Sequence, residues 1–511
     1  MTRRRKRLAA IDIGTNSIRC IVVEVAERDT FRILDDEKAT VRLGESLDEG
    51  KGISPAAWER AMESLLRMKK ILDGYGVEYL EAVATSAVRR AANSADFIRA
   101  VAERTGIKVV VIPGEEEARL VSLSVLHNFD MEGIRYGMID IGGGSLEIVT
   151  ALGNRVEEYY SLELGAVSLT EKFLHRDPVA ADELQKLVKH VRLSLKQVFE
   201  GEDANARCLV ASGGTITSVA AMIMAMRGEA YDSVHGYEIL RSDIVHLLAM
   251  LVRKDVKERK GITGLNPDRA DIIVAGVAVI EELMKFFDAN ILRVNERGIR
   301  EGLILDSLRK HRLIGEGTRR RSWRAAALEF GRSCLVDEEH ARQVARLSLD
   351  LFDALKADFP LFDRERRILE AAALLHDSGY FINYSSHHKH SYHLIRHADL
   401  FGFTPREREI IANVARYHRK SLPKKKHEGF ARLTEPDRLL VSRLGGILRL
   451  ADGLDRRRNC LVRQLTSELT EAVFRISLSG DEDLSVEIFS GKAKGSLFES
   501  AFHRKLVLIA A

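Results

Sequence analysis

The architecture can be predicted from one stretch of sequence, Tyr136-Gly137-Met138-Ile139-Asp140-Ile141-Gly142-Gly143-Gly144-Ser145-Leu146-Glu147-Ile148-Val149. An apolar strand ends in Asp, a Gly-rich turn follows, and a second strand leads away. The stretch Ile11-Asp12-Ile13-Gly14-Thr15-Asn16-Ser17 repeats this pattern between predicted strands at residues 8–13 and 18–25. Asp140 follows Asp12 by 128 residues, about one domain length. The repeat predicts two related lobes that face each other.

The remaining sequence extends this plan. Strands alternate with helices through the first third of the chain, with a predicted helix at residues 55–72. The composition changes after about residue 303, and a basic run at residues 309–324 is expected to be a linker or an exposed helix. From there to about residue 458 the pattern is nearly all helical, and a hairpin is predicted within residues 473–488. We therefore predict an α/β fold with two lobes, an all-α domain and a small C-terminal α/β domain. The predicted bounds are 1–121 for lobe I, 122–305 for lobe II, 306–460 for the helical domain and 461–511 for the last domain.

Composition narrows the class of protein. No apolar run approaches the roughly 20 residues that a membrane-spanning helix needs, so we expect no membrane partner. The start, residues 1–7, is basic but lacks the apolar region of a signal peptide, and we expect a solvated tail, not a nucleic-acid-binding arm. The four cysteines are far apart, which fits a reducing cytoplasm. Net charge is only +4, so an anionic substrate would need local basic residues.

The two Gly-rich turns predict a phosphate site. Such turns expose backbone N–H groups that suit phosphate oxygens, and glycine lets the backbone approach closely. Asp12 and Asp140 precede the turns, and an Asp on each lobe can hold a divalent cation against the phosphates. The predicted phosphate-binding residues of the two turns are Gly14, Thr15, Asn16, Ser17, Gly142, Gly143, Gly144 and Ser145.

Two further stretches fit this chemistry. Thr85-Ser86-Ala87-Val88-Arg89 follows a strand and ends in an Arg that can make forked contacts with phosphate. Glu115, Glu116 and Glu117 lie where a strand meets a helix. Their negative charge stabilises the first turn of a helix, or one of their carboxylates deprotonates an attacking water. The helix N-terminus lowers the basicity of such a carboxylate, and a bound polyanion raises it.

Together these strings resemble the exopolyphosphatase/guanosine pentaphosphate phosphohydrolase family. Besides those above, the matching strings are Gly114-Glu115-Glu116-Glu117-Ala118-Arg119-Leu120, Ser212-Gly213-Gly214-Thr215, Asn266-Pro267-Asp268-Arg269-Ala270-Asp271 and Gly298-Ile299-Arg300-Glu301-Gly302-Leu303. The resemblance implies actin-like, ribonuclease-H-like lobes and hydrolysis of a terminal phosphoanhydride with Mg²⁺ or Mn²⁺.

The resemblance also implies roles for individual residues. Glu117 matches the catalytic base, with Glu116 beside it. Asp140 matches the metal-associated acid, and Glu147 could assist the metal through water. Arg89 matches a phosphate-contacting position. The third Gly-rich turn adds Ser212, Gly213, Gly214 and Thr215 to the phosphate set.

The resemblance implies linear inorganic polyphosphate as substrate and a homodimeric enzyme. Guanosine pentaphosphate is the alternative substrate within the family. Arg19 could contact this nucleotide or form a salt bridge at the strand edge. An actin-like kinase and a non-catalytic sensor of alarmone or polyphosphate are alternatives from other classes.

Histidines in the helical region predict a second metal site. His340, His376, Asp377 and Asp452 lie in predicted helices and are suitable ligands for one divalent metal once the helices converge. This part resembles the HD phosphohydrolase superfamily, and His390 and His418 could supply a second metal. A purely structural domain of the same shape is the alternative. Four other histidines are expected in a solvated or anion-facing segment, namely His387, His388, His393 and His397.

Overall fold

A computed structural model describes residues 6–25, 31–45, 47, 51–200, 205–314 and 322–511; the basic residues 1–5 lie outside the described residues. The chain divides into two compact units, Met1–Arg320 and Arg321–Ala511. Across the described residues, no helix is both long enough and apolar enough to cross a bilayer.

Lobe I is built on a five-stranded sheet. Its strands are β1 (Arg7–Ile13), β2 (Ser17–Val25), β3 (Phe31–Thr40), β4 (Tyr79–Ala84) and β5 (Val110–Val111), and its helices are α1 (Pro55–Tyr75), α2 (Ser86–Arg90), α3 (Ser94–Thr105) and α4 (Gly114–Asn128). The order is β3-β2-β1-β4-β5, with β1, β2 and β3 antiparallel and β4 and β5 parallel to β1. The predicted helix at residues 55–72 forms as α1. The Ser54 side chain caps its start, and Gly76 ends it at a φ of 62°.

Lobe II repeats this plan. Its strands are β6 (Arg135–Ile141), β7 (Leu146–Leu152), β8 (Arg155–Leu162), β9 (Cys208–Ser212), β10 (Glu238–Leu240) and β11 (Ile291–Val294). Its helices are α5 (Ala166–Phe173), α6 (Ala181–Val198), α7 (Gly214–Met226), α8 (Arg241–Leu251), α9 (Val256–Lys260), α10 (Ile273–Phe286) and α11 (Ile299–Lys310), with a 3₁₀ turn at Pro267–Arg269. The order is β10-β11-β9-β6-β7-β8. Strands β6, β7 and β8 are antiparallel, and β9 and β11 continue the sheet in parallel. The predicted pair of related α/β lobes is confirmed.

Helices α4 and α11 tie the lobes together. Helix α4 packs on β6, β7 and β8, while α11 packs on β1, β2 and β4 and on α4 itself. The two helices meet closely at Gly302, where a Cβ atom would lie 2.0 Å from the carbonyl oxygen of Leu120. The predicted lobe boundary at residues 121 and 122 therefore falls inside α4, and the predicted boundary at residues 305 and 306 falls inside α11.

The second unit combines helices with a small sheet. Its helices are α12 (Trp323–Ser333), α13 (Glu338–Leu355), α14 (Asp363–Leu375), α15 (His387–His397), α16 (Pro405–Arg416), α17 (Glu428–Ala431), α18 (Glu435–Gly453), α19 (Ser485–Lys494) and α20 (Ser496–Phe502), with a 3₁₀ turn at Ser378–Phe381. The strands β12 (Gln464–Leu469), β13 (Val473–Ser479) and β14 (Lys505–Ala510) lie in the order β12-β13-β14.

One apolar core runs through this second unit. It includes Leu444 and Ile447 of α18, Phe474 of β13 and Phe498 of α20. The helical part and the terminal α/β part thus share a core, and the predicted division at residues 460 and 461 stays a prediction.

Candidate active site

Two equivalent turns form the floor of the candidate site. The Gly14 N–H donates to the Ser17 carbonyl oxygen at 3.1 Å, and the Gly142 N–H donates to the Ser145 carbonyl oxygen at 3.0 Å. Each turn joins two antiparallel strands, β1 to β2 and β6 to β7. The sequence repeat therefore produces two similar backbone turns, one on each lobe.

The two turns meet between the lobes. A Cβ atom on Gly143 would lie 2.9 Å from Thr15 Cβ, and one on Gly144 would lie 2.5 Å from Ser86 Oγ and 2.9 Å from Thr15 Oγ1. Thr15 and Ser145 are buried. A side chain at position 143 or 144 would therefore require Thr15, Ser86 or the turn itself to shift.

Asp12 and Asp140 occupy matching places beside these turns. Burial raises the pKa of Asp12 to about 6, against the lowering effect of the Arg19 and Arg300 charges. Burial, followed by the charge of Asp12, raises the pKa of Asp140 to about 7. A Cβ atom on Gly213 would lie 2.6 Å from Asp140 Oδ1, so the third turn packs directly on this carboxylate. Two carboxylates that repel each other in a confined place fit an oxygen-bound divalent cation.

Glu117 lies on the first turn of α4. Its N–H donates to the Pro113 carbonyl oxygen at 3.1 Å, and its side chain is only 12% exposed. Its Oε2 atom is buried without a hydrogen-bond partner in the described part of the chain, and Arg89 Nη1 lies 3.5 Å away. Burial raises the pKa of Glu117 well above its usual range; the charge of Glu147 adds to this and Arg89 opposes it.

Glu116 and Glu147 differ from Glu117 in their partners. Arg119 donates two hydrogen bonds to Glu116, at 2.7 and 2.8 Å, and a third to Asp306 at 2.9 Å. Of the two adjacent acids, Glu117 alone is held beside Arg89. Glu147 is buried on β7, accepts a hydrogen bond from Ser161 Oγ at 3.1 Å, and has its pKa raised to about 8, chiefly by burial.

A cavity of about 450 Å³ opens beside these groups. The residues that line it include Ser86, Arg89, Arg90, Gly114, Ser145 and Ser161. Arg89 is anchored there because its Nη1 donates to the Ile112 carbonyl oxygen at 2.8 Å. The cavity thus combines cationic side chains and hydroxyl groups from both lobes, a lining that suits phosphate.

Two side chains of the third predicted turn are held inside lobe II. The Ser212 hydroxyl is fully buried and accepts a hydrogen bond from Asn295 Nδ2 at 3.1 Å. Thr215 packs against Gly276, where a Cβ atom would lie 2.4 Å from Thr215 Cγ2. These two side chains are part of the lobe II core, because β9 ends and α7 begins inside it. Gly213 is the residue of this turn that approaches Asp140.

Sequence reasoning assigned no role to several cations near the acids. Arg269 is buried, and burial followed by the charge of Arg19 lowers its pKa to about 10. Burial lowers the pKa of Lys38 to about 8, with further lowering by Arg269 and Arg19. Arg300 forms an ion pair with Asp36. Arg269 and Arg300 lie in two of the strings on which the family resemblance rests, and membership of those strings could have marked both as candidate site residues.

The four predicted ligands of the second unit also come together. His340 Nε2 lies 3.6 Å from Asp452 Oδ1 and 3.9 Å from Asp377 Oδ2. His376 Nε2 lies 3.6 Å from Asp377 Oδ2 and 3.9 Å from Asp452 Oδ1. The fold therefore gathers all four side chains into one cluster.

The histidines predicted to supply a second metal need one correction. His418 is buried beside Asp377, as the prediction requires. The histidine that faces the same oxygen of Asp377 is His387, not the predicted His390. The expectation of a solvated position is wrong for His387 and His388, because the start of α15 turns both rings into the interior, where they are 1% and 5% exposed. His393 and His397 are exposed, as expected.

Comparisons with known proteins agree with this architecture. The model of the Ppx/GppA phosphatase family matches residues 21–311, and that of Ppx/GppA phosphatase domain III matches residues 320–487. A crystal structure of the Aquifex aeolicus member of the Ppx/GppA family is 30% identical, with a TM-score of 0.53, over 60% of this chain and 99% of its own. An exopolyphosphatase from Cytophaga hutchinsonii is 27% identical, with a TM-score of 0.57, over 61% of this chain and 100% of its own. The chain belongs to the Ppx/GppA phosphatase family.

Proposed function

We propose that this protein is an exopolyphosphatase that releases the terminal phosphate of linear inorganic polyphosphate. The observation that carries the proposal is the buried Oε2 atom of Glu117, which has no hydrogen-bond partner in the described chain and lies 3.5 Å from Arg89. Arg89 lines the cavity between the lobes. A carboxylate oxygen held free beside a phosphate-binding cation is placed to accept a proton from water.

The lobes provide complementary contacts for a phosphate group. Backbone N–H groups of the turns at residues 15–17 and 143–145 would donate to its oxygens, and Ser145 and Arg89 would add side-chain donors. The close approach of Gly144 to Thr15 and Ser86 supports a pocket that closes around one terminal phosphate.

In the proposed reaction a water molecule attacks the terminal phosphorus in line with the leaving oxygen. Glu117 Oε2 accepts the proton of that water, the bond to the bridging oxygen breaks, and the shortened chain leaves. Arg89 and the turn N–H groups stabilise the charge that spreads over the transferring phosphoryl group. The raised pKa of Glu117 supports this role, because a stronger base gains more from the proton transfer.

The carboxylates of Asp12 and Asp140 would hold Mg²⁺, or Mn²⁺, with Glu147 assisting through water. The bound cation would supply positive charge to the phosphate oxygens.

Guanosine pentaphosphate is the second candidate substrate. Arg19 lowers the pKa of Arg269, and both guanidinium groups oppose the raised pKa of Asp140, so two cations lie near this acid. Such charge suits a ligand with a second phosphorylated group. An actin-like kinase would instead need a phosphate acceptor, and a sensor would bind either anion without turnover.

The deciding experiment measures phosphate release from long-chain polyphosphate and from guanosine pentaphosphate with Mg²⁺, in the wild type and in Glu117→Gln. Release from polyphosphate that Glu117→Gln abolishes supports the proposal. Preference for the nucleotide selects the second candidate. No release from either substrate by folded wild-type protein contradicts both hydrolase assignments.

A further inference from the structure

Six ionisable side chains converge inside the C-terminal unit, well apart in sequence from the site described above. They are His340 on α13, His376 and Asp377 after α14, His387 on α15, His418 after α16, and Asp452 on α18. The four histidines and Asp377 are buried. Buried charged or polar groups are costly unless they have partners, so their convergence requires an explanation.

The hydrogen bonds of the Nδ1 atoms define which ring nitrogen of each imidazole carries the proton. His376 Nδ1 lies 2.7 Å from the Ala373 carbonyl oxygen, and His418 Nδ1 lies 2.7 Å from that of Ala415. His387 Nδ1 lies 3.1 Å from the Tyr384 carbonyl oxygen. Carbonyl oxygens only accept, so these Nδ1 atoms carry the proton and a neutral ring presents a lone pair at Nε2.

The fourth histidine follows the same pattern. His340 Nδ1 lies 2.7 Å from Asp455 Oδ2. A carboxylate bound to one ring nitrogen orients the other nitrogen, as is usual for metal-binding histidines. The Nε2 atoms of His340 and His376 are both buried without a hydrogen-bond partner in the described chain, and both face Asp377 and Asp452.

A second group meets the opposite side of Asp377. His387 Nε2 lies 3.4 Å and His418 Nε2 lies 3.7 Å from Asp377 Oδ1. The two Nε2 atoms lie only 3.1 Å apart. Two lone pairs at that distance repel each other unless a cation or a shared proton lies between them. The first group uses Asp377 Oδ2, so the two oxygens of one carboxylate face two different sets of nitrogens.

We propose that this cluster binds two divalent transition-metal ions that share Asp377. His340, His376, Asp452 and Asp377 Oδ2 would hold one ion, and His387, His418 and Asp377 Oδ1 would hold the other. Imidazole nitrogens suit Fe²⁺ and Zn²⁺, and carboxylate oxygens suit Mn²⁺, so this mixed set of ligands favours such ions over Mg²⁺, which is usually bound by oxygen alone. The centre thus differs in metal preference from Asp12 and Asp140, which offer oxygen only.

Two cationic side chains orient the carboxylates of Asp377 and Asp452. Arg458 Nη2 donates to Asp377 Oδ2 at 2.5 Å, and Lys494 forms an ion pair with Asp452. The Lys494 contact leaves Asp452 Oδ1 directed at His340 and His376. Asp377 Oδ2 faces the same two histidines and also accepts from Arg458, which its two lone pairs allow. Outer contacts of this kind fix the orientation of metal ligands.

The test counts Mn²⁺ bound to the full chain after removal of metals with a chelator, in excess Mg²⁺ that occupies oxygen-only sites. We expect two Mn²⁺ ions per wild-type chain and one per chain in His387→Ala. Asp377→Asn removes a direct ligand, so it should weaken binding at both positions by more than the about 10- to 100-fold that loss of an outer contact costs. Binding of no Mn²⁺ would show that a shared proton occupies the cluster, and would overturn the proposal, as would a single ion in the wild type.

His390→Ala is the matched control, because His390 lies on α15 but outside the two groups that can hold an ion. It should keep both ions, and loss of one would overturn the assignment to His387. Thermal unfolding of each variant checks that the fold is retained. Glu117→Gln should also keep both ions, which separates this proposal from the fate of the proposed phosphohydrolase activity.

Discussion

Arg89 Nη1 lies 3.5 Å from Glu117 Oε2 while donating a hydrogen bond to the Ile112 carbonyl oxygen at 2.8 Å. Ile112 immediately follows β5, and Glu117 lies on the helix that comes next. The anchored guanidinium therefore stays beside the carboxylate even before a phosphate binds. The contact therefore predicts how substitution of either residue changes activity.

Glu117→Gln should lower kcat for phosphate release by about 10²- to 10⁴-fold, because the amide cannot accept the proton of the attacking water. The KM should change much less, since the side chain keeps its size. Steady-state kinetics with long-chain polyphosphate measures both effects.

Glu116→Gln is the control for this substitution. Glu116 is the neighbouring acid, but Arg119 already occupies both of its oxygens. It should keep kcat within a few-fold of the wild type. An equal loss in both variants would contradict the assignment of Glu117 as the base.

Arg89→Gln should move the acidic limb of the kcat–pH profile to higher pH. The Arg89 charge lowers the pKa of Glu117 against the raising effect of burial, and its removal lets that pKa rise further. A base acts only when deprotonated, so activity should then appear at a higher pH than in the wild type. Arg90→Gln, which changes a neighbouring cavity residue, should leave this limb in place, and an equal shift in both variants would contradict the pairing.

The parts of the site that are contiguous in sequence could be predicted from local sequence patterns. Asp12 and Asp140 with their turns could be placed from sequence because strand, acid, turn and strand are consecutive, and the turn fixes its own geometry. The distinction between Glu116 and Glu117 depends on helix α4, which directs one carboxylate to Arg119 and the other to Arg89.

Contacts between distant segments were harder to predict. Ser212 resembles a phosphate-binding hydroxyl by sequence, but Asn295 reaches it from 83 residues away. Arg269 reaches the acids of the site through the fold of lobe II. On α15, the helical rotation between His387 and His390 decides which ring faces Asp377, and this rotation requires knowledge of the neighbouring helices.

Gly144→Ala should raise the KM for polyphosphate and lower kcat. Its Cβ atom would lie 2.5 Å from Ser86 Oγ and 2.9 Å from Thr15 Oγ1, so these two hydroxyl groups or the turn must shift within the proposed phosphate site. Misplacement of a positioning group by about 1 Å can cost on the order of 10²-fold in rate. Gly261→Ala is the control because its nearest neighbour would be 3.4 Å away, and similar kinetics in both variants would contradict a role for the turn.

Gly302→Ala should reduce both stability and activity. The added Cβ atom would lie 2.0 Å from the Leu120 carbonyl oxygen, so α11 and α4 must separate. Overpacking of this kind costs about 1–3 kcal/mol in the free energy of unfolding, measured by denaturant titration. Because α4 also carries Glu117, the displacement should lower kcat even where the protein remains folded.

The control for this contact is Gly74→Ala, also in a helix. Gly74 lies in α1 with no atom within 4 Å of its added Cβ, so the substitution should be neutral or stabilising, since alanine favours a helix more than glycine does. Its kcat should match that of the wild type. Unchanged kcat in folded Gly302→Ala would show that the position of Glu117 does not depend on the contact between α4 and α11.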